Sequence, residues 1–353
     1  MHTPKVFCLI LFLSGHSVVA YGQQAPQKKY STAFDLIASV LADSVPTPLK
    51  DVVFEVENAY LDDALDHDVY NERILGYAAI TEAWFNANHL NDNHAPDSVQ
   101  FAKSGALFHL ITDTVFAEGR VPISLPFTYD TTDFFGLHDW TKMFVTKLLA
   151  THSGNCHSMP LFYKILAEEL GVKAYLAVAP NHLYLKQHSE KIGWYNTELT
   201  SAAFPTDAWL MASGYVSSDA LRSGIYMDTL SDKQTLSLCL IDLAEGFQDK
   251  YPQDNEEFIL KCCAMALEYY PVCVAALQLK AEAIGRLRER TVDEAMKAAY
   301  LDELNSTLSR LVDLGYREVP LEVFQLWFAE LRNHPEKFAN PRMEQQHIVI
   351  GGR

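Results

Sequence analysis

Cys156, His182 and Glu198 are the residues of this chain whose types and spacing could do covalent chemistry. Cys156 lies in the stretch SGNCHSMPLFYKILAEELG, residues 153–171, just ahead of a strongly helical run. A helix N-terminus carries roughly half a positive charge and several unpaired N–H groups. It therefore stabilises a thiolate, and its N–H groups can hold an oxyanion during acyl transfer. Gly154 allows a sharp turn that presents the thiol, and Pro160 falls near the first turn, where donors are in excess. A thiol nucleophile also needs a base, and the base needs an orienting partner. His182, 26 residues after the cysteine, opens the run HLYLK. Trp194, Asn196 and Glu198 then share one face of the next strand by two-residue alternation. A histidine and a carboxylate on adjacent antiparallel strands can hydrogen-bond side by side, with the cysteine's helix packed across both. Glu198 is the expected third member, and Asn196 is the alternative.

Two other readings compete for the same residues. His152, Cys156 and His157 have the spacing H-x-x-x-C-H, which could supply two or three zinc ligands, but nothing downstream supplies a matching pair. Cys156 could also be a small buried hydrophobe, as most lone cysteines are. No metal and no organic cofactor is expected.

The elements that must position these residues follow from periodicity. From Tyr30 to about Phe116, apolar residues recur at three- and four-residue steps and predict helices. The acidic patch of Asp62, Asp63, Asp66 and Asp68 has no glycine at the turn position of a calcium loop, and reads as a solvated helix face. Residues 117–140 form a long loop rich in aromatics and Asp, which either lines a cleft or packs back on the domain. A short helix over WTKMFVTKLLATHSGNC leads to the turn, and PLFYKILAEELG is a helix ended by Gly171. VKAYLAVAP, HLYLKQ and GWYNTELT are β-rich runs that should pair antiparallel. From about Ser231 the chain is helical again, with Gly246, Ala266 and Pro271 near the small-residue and terminal-proline positions of a tetratricopeptide repeat.

At 353 residues, two domains are expected. The net charge of -17 argues against a nucleic-acid partner, because phosphate binding needs clustered Lys and Arg. The N-terminus places a lysine before an apolar run, Val6 to Leu13, and then small residues, the order of a secretory signal peptide with cleavage after Gly22. No run reaches the roughly 20 apolar residues that a membrane span needs. An exported protein that does not span a membrane is the expectation. Without Cys8, five cysteines remain: Cys156, and Cys239, Cys262, Cys263 and Cys273 in the C-terminal third. One disulfide among those four, or four buried free thiols, both fit the sequence.

Gly154-Asn155-Cys156, the helix after it, His182 opening a strand, and GWYNTELT together resemble the transglutaminase-like, papain-type cysteine fold. In that family a G-x-C precedes a helix, a histidine begins a strand, and G-W-x-x-x-D-x-T supplies the third residue. Here Gly193, Trp194 and Thr200 match, and Glu198 occupies the aspartate slot. The arrangement is especially similar to the bacterial SirB1-type branch, in which a transglutaminase-like domain precedes tetratricopeptide-like helices. The close resemblance spans roughly residues 141–205. This chain departs from the pattern in carrying His157 where many relatives have an aromatic, and in the Glu at 198.

The resemblance implies an α+β fold: a papain-like core of a helix on a small antiparallel sheet, wrapped by N-terminal helices and followed by an α-helical domain. The expected boundaries are residues 1–22 for the signal peptide, 23–230 for the transglutaminase-like domain with its core at about 136–210, and 231–353 for the helices. It also implies a cysteine-dependent amide or ester hydrolase or acyl transferase, acting on a peptide, protein or other amide-bearing substrate. The competing expectation is a catalytically silent binding protein, with the C-terminal helices as its partner surface.

Overall fold

Four helices open the described chain: α1 (Gln24–Leu41), α2 (Leu49–Tyr60), α3 (His67–Ala87) and α4 (Ser98–Thr112). A computed structural model describes residues 24–88, 97–117 and 120–320, with scattered positions between 322 and 333. The expected signal peptide lies outside the described residues. Asp66 ends the turn before α3 as its N-cap, its side chain accepting from the N–H groups of Asp68 and Val69. Asp62 and Asp63 sit in that turn with left-handed backbones and reach Lys250 and Lys29 at 2.7 Å. The acidic cluster is thus mainly an interhelical turn, and not the helix face its periodicity suggests. Carboxylates outcompete helix here because they can bond neighbouring backbone N–H groups.

Residues 115–129 carry three short strands, β1 (Val115–Phe116), β2 (Pro122–Ser124) and β3 (Thr128–Tyr129). A 3-10 turn (Trp140–Met143) and helix α5 (Val145–Thr151) follow. Glu57 of α2 caps α5, accepting from the N–H groups of Val145 at 2.7 Å and Thr146 at 2.9 Å. Strand β4 (Ser153–Gly154) pairs parallel with β3, and the helix α6 (Ser158–Glu169) ends near Gly171, whose φ of +65° suits glycine.

Strands β5 (Tyr175–Ala179), β6 (His182–Ser189) and β7 (Gly193–Thr197) form an antiparallel sheet in the order β5-β6-β7, as their alternation requires. Leu176, Leu183 and Leu185 point into the main core with Phe162 and Ile165 of α6. Ala177, Ala179 and Tyr184 face the other way, onto Leu210, Ile225 and Met227. Helices α7 (Asp207–Ser213) and α8 (Ser218–Ser223) cover that second face. The sheet is buried on both sides, so its register is tightly specified.

The C-terminal helices are α9 (Asp232–Lys250), α10 (Glu256–Tyr269), α11 (Val274–Arg290) and α12 (Glu294–Asp313), joined by short turns. Ser231 and Gln234 start α9 with a reciprocal capping box. The architecture is a helix-rich mixed α+β fold. The main core runs from Tyr30 in α1 through α6 to Ala283 in α11, continuous across residue 230. Cys239, Cys262, Cys263 and Cys273 are buried in it as free thiols, which is the second of the two states the sequence allows. No described helix is long and apolar enough to cross a membrane.

The fold partly or wholly buries carboxyl groups on α2 and α9. Burial pushes Glu245 up to about 8, with Asp242 and Glu282 adding to it. Burial likewise pushes Glu57 up to about 7 despite its hydrogen bonds to α5. Both lie above the ordinary glutamate range of about 4.3, so between these values the folded chain holds protons that the unfolded chain has released. Stability from these groups is complete at low pH and falls as pH rises toward 8. Thermal unfolding should therefore occur at lower temperature at pH 8 than at pH 5.5. In Glu245→Gln that difference should shrink by about 5 °C, read by calorimetry at the two pH values.

Candidate active site

The turn that carries Cys156 is fixed by Asn155. The Asn155 side-chain oxygen accepts from His157 N–H at 3.0 Å, Ser158 N–H at 2.9 Å and Ser158 Oγ at 3.1 Å. In return, Ser158 Oγ accepts from Asn155 N–H at 3.1 Å. The Asn155 amide nitrogen reaches the Phe134 carbonyl at 3.0 Å, binding the 117–140 loop to the turn. Cys156 itself stands two residues before α6. The helix-start amides of His157 and Ser158 are therefore spent on Asn155, and the N–H of Cys156 is the amide of this turn that Asn155 does not take.

Gly154 is needed for space and not for a special backbone angle. A Cβ there would lie 2.6 Å from Leu148 Cδ1 and 2.7 Å from Ser158 Oγ. Its strand partner across β3–β4 is Tyr129. The adjoining loop is tied down by Asp130, whose N–H donates to the Gly154 carbonyl at 2.7 Å. The Asp130 carboxylate is buried and accepts from Lys142 at 2.6 Å and Lys147 at 3.0 Å. Burial opposes its ionisation, but these lysines and Thr132 hold it well below the usual carboxylate range. Of the two roles open to the loop, it does pack back, and it also supplies the floor of the turn.

His182 comes from the hairpin between β5 and β6. Pro180 and Asn181 are its central residues, and Asn181 has φ +54°, the pattern of a type II turn. The Cys156 Sγ lies 4.0 Å from the Asn181 carbonyl, so the thiol sits against the hairpin that presents the imidazole. His182 Nε2 and Glu198 Oε2 are 2.5 Å apart. Glu198 follows the last residue of β7 and is fixed by backbone bonds in both directions with Ala203 at 2.9 Å. Its other oxygen accepts from Thr200 N–H at 3.0 Å and Thr200 Oγ1 at 2.7 Å.

Burial works against a charged His182, but the Glu198 carboxylate and a hydrogen bond with the Cys156 side chain outweigh it, and the imidazole is raised well above its usual range. Burial raises Glu198 in turn, and the charge of His182 with the Thr200 bonds more than reverses it. With Nε2 on the carboxylate, Nδ1 is the nitrogen left to the thiol. The structure thus brings Cys156, His182 and Glu198 together. Cys156 is only 8% exposed.

Asn196 is placed elsewhere. Its amide nitrogen donates to the Pro205 carbonyl at 3.0 Å and to Asp207 at 2.8 Å, so it braces α7 and does not orient the imidazole. It shares the strand face as expected, but pairs opposite Lys186, further along β6 from His182. The zinc cluster is also dispersed. His152 ends α5 in a left-handed conformation, stacks on Phe127 with centroids 4.7 Å apart and meets the Tyr77 hydroxyl at 2.9 Å. His157 turns toward α9, where its Nε2 lies 2.9 Å from Asp242. No group of three or more His, Cys, Asp or Glu that could hold a metal is found among the described residues.

Sequence reasoning assigned no role to three residues that help build the site. Thr200 orients the carboxylate, and only its place in the GWYNTELT match pointed to it. Asn155 caps the turn, and the spacing Asn155-x-x-Ser158 is the signal for that. Tyr129 flanks the site: burial, then the charges of Cys156, Glu198 and Asp130, push its phenol above the ordinary range. Nothing local marked it.

No protein-family model matches the chain, and no curated protein matches it either. Among solved structures, it is similar to the crystal structure of menin that reveals the binding site for Mixed Lineage Leukemia (MLL) protein. The identity is 12% and the TM-score 0.39, over 88% of this chain and 75% of that one. At that score the likeness fixes neither fold nor function for this chain.

The turn geometry yields a test. Gly154→Ala forces a methyl into Leu148 and Ser158, and should cost about 1–3 kcal/mol. Asn155→Ala leaves two helix-start amides and a buried hydroxyl without their acceptor, and should cost about 1–2 kcal/mol. Urea unfolding of each variant measures both, with the midpoint falling and the slope unchanged.

Proposed function

We propose that this protein is a transglutaminase-like cysteine hydrolase or acyl transferase that uses Cys156, His182 and Glu198. The observation that carries the reading is the His182 imidazole held by a buried carboxylate at 2.5 Å, on a hairpin whose Asn181 carbonyl lies 4.0 Å from the Cys156 sulfur. In this reading residues 23–230 form the transglutaminase-like unit and the following helices a tetratricopeptide-like one. The leader-like first 22 residues suggest that it acts after export.

In the reaction, His182 takes the proton of Cys156 through Nδ1, and Glu198 stabilises the imidazolium and fixes the ring. The sulfur attacks the carbonyl carbon of an amide or ester, and the Cys156 N–H donates to the oxygen as it becomes negative. When the tetrahedral adduct collapses, the bond to the leaving amine or alcohol breaks. That group departs with the proton from His182, leaving a thioester on Cys156. Water or an amine then attacks the thioester, His182 accepts its proton, and the thiol is restored as the product leaves. No metal or organic cofactor enters these steps.

The near-complete burial of Cys156 suits the rival, a silent scaffold that binds partners through its helices. Turnover on a panel of peptide amides and esters separates the two. Cys156→Ala should abolish activity. Glu198→Gln should reduce it on the order of a hundredfold or more while the fold persists, because the imidazolium loses its charge partner but keeps its place. Asn196→Ala should retain most of the activity. If wild type and Cys156→Ala are equally inactive across the panel, the scaffold reading replaces the enzyme.

A further inference from the structure

His157 is the residue that the triad does not use. It follows the nucleophile directly, and both of its ring nitrogens are engaged. Nδ1 donates to the Met143 carbonyl at 3.1 Å, and Nε2 lies 2.9 Å from the Asp242 carboxylate. A neutral imidazole has one donor nitrogen. A carbonyl and a carboxylate, both acceptors, therefore select the doubly protonated ring. Met143 belongs to the 3-10 turn before α5, and Asp242 to α9 in the C-terminal helices. The turn bearing Cys156 is thus held from two directions by one side chain.

We propose that His157 is a positioning residue for the Cys156 nucleophile: held as an imidazolium by Asp242 of α9, it anchors the turn and sets a second positive charge beside the sulfur. This rests on the reading of Cys156 as a nucleophile. It also makes the C-terminal helices part of the active site and not an appended surface.

The groups facing His157 come from three elements: Glu57 from α2, Asp242 and Glu245 from α9, and Cys156 from its own turn. Burial opposes the charge, but Asp242, the Met143 carbonyl and Cys156 overcome it, and the ring is raised to about 9. The charge is therefore present at neutral pH and is lost as pH rises through about 9. Glu245, raised to about 8, largely keeps its proton near neutrality, and Glu57, raised to about 7, keeps it in about half of the molecules, which limits the negative charge around the ring.

The test compares two thiol reagents, iodoacetate and iodoacetamide, on the full chain, with Cys156 labelling read by peptide mass. Both need the same thiolate, but only iodoacetate is an anion. The ratio of their rates therefore reports positive charge beside the sulfur and is insensitive to thiolate content. His157→Gln should lower the ratio about fivefold at pH 7. Asp242→Asn, nearly the same shape, lets His157 discharge at an ordinary histidine pH. Its ratio should match or exceed wild type at pH 5.5 and fall below it at pH 8. If His157→Gln fails to fold, the pH dependence of Asp242→Asn decides alone. Ratios unchanged from wild type in both variants would overturn the proposal while leaving the triad standing. A wild-type Cys156 no more reactive toward iodoacetamide at pH 6 than a free cysteine peptide would instead overturn the triad.

Discussion

A carboxylate can stay ionised inside a protein only if nearly every lone pair finds a donor. Glu198 is 4% exposed, and the surrounding structure is arranged to meet that condition. One oxygen takes the His182 ring and the other takes the N–H and hydroxyl of Thr200. The bridge to Ala203 keeps the backbone of Glu198 in line with β7. His182 can reach it only because β6 runs back antiparallel from a two-residue hairpin, and a slip of one residue would turn both side chains to the opposite face. Leu183, Leu185 and Tyr184, buried on opposite sides of the sheet, prevent that slip.

The thiol depends on a second set of constraints with almost no secondary structure of its own. The parallel pair β3–β4 is two residues long. Its stability comes instead from polar ties: Asn155 to the helix start and Phe134, Asp130 to two lysines, and His157 to α9. Polar ties of this kind are directional, and removing one partner leaves a buried group unsatisfied. They fix a short loop more sharply than apolar packing could.

The helices, the three-stranded sheet and the association of Cys156, His182 and Glu198 were legible in the sequence, because each rests on local periodicity or on a register that periodicity sets. The alternatives that failed did so for long-range reasons. Asn196 has the right strand face, but Pro205 and Asp207 take its amide. His152 and His157 have ligand-like spacing, but Tyr77 and Asp242, 75 and 85 positions away, claim their rings. The same limit hid Tyr129, which reaches the site through a strand pairing between segments 25 residues apart. Gly154 was recognisable as necessary, yet for the wrong cause: the Leu148 and Ser158 side chains that exclude a Cβ become neighbours only after folding.

The resulting site contains two imidazole–carboxylate pairs. The His182 ring is backed by Glu198, and the His157 ring, on the residue after the cysteine, is backed by Asp242. Each imidazole is paired with one carboxylate, so each pair is neutral as a unit. Two acids that interact with His157, Glu57 and Glu245, are both raised above the ordinary glutamate range by burial. Where they keep their protons, they do not offset the His157 charge. The stability lost when they ionise is the counterpart of keeping that charge in place near neutrality.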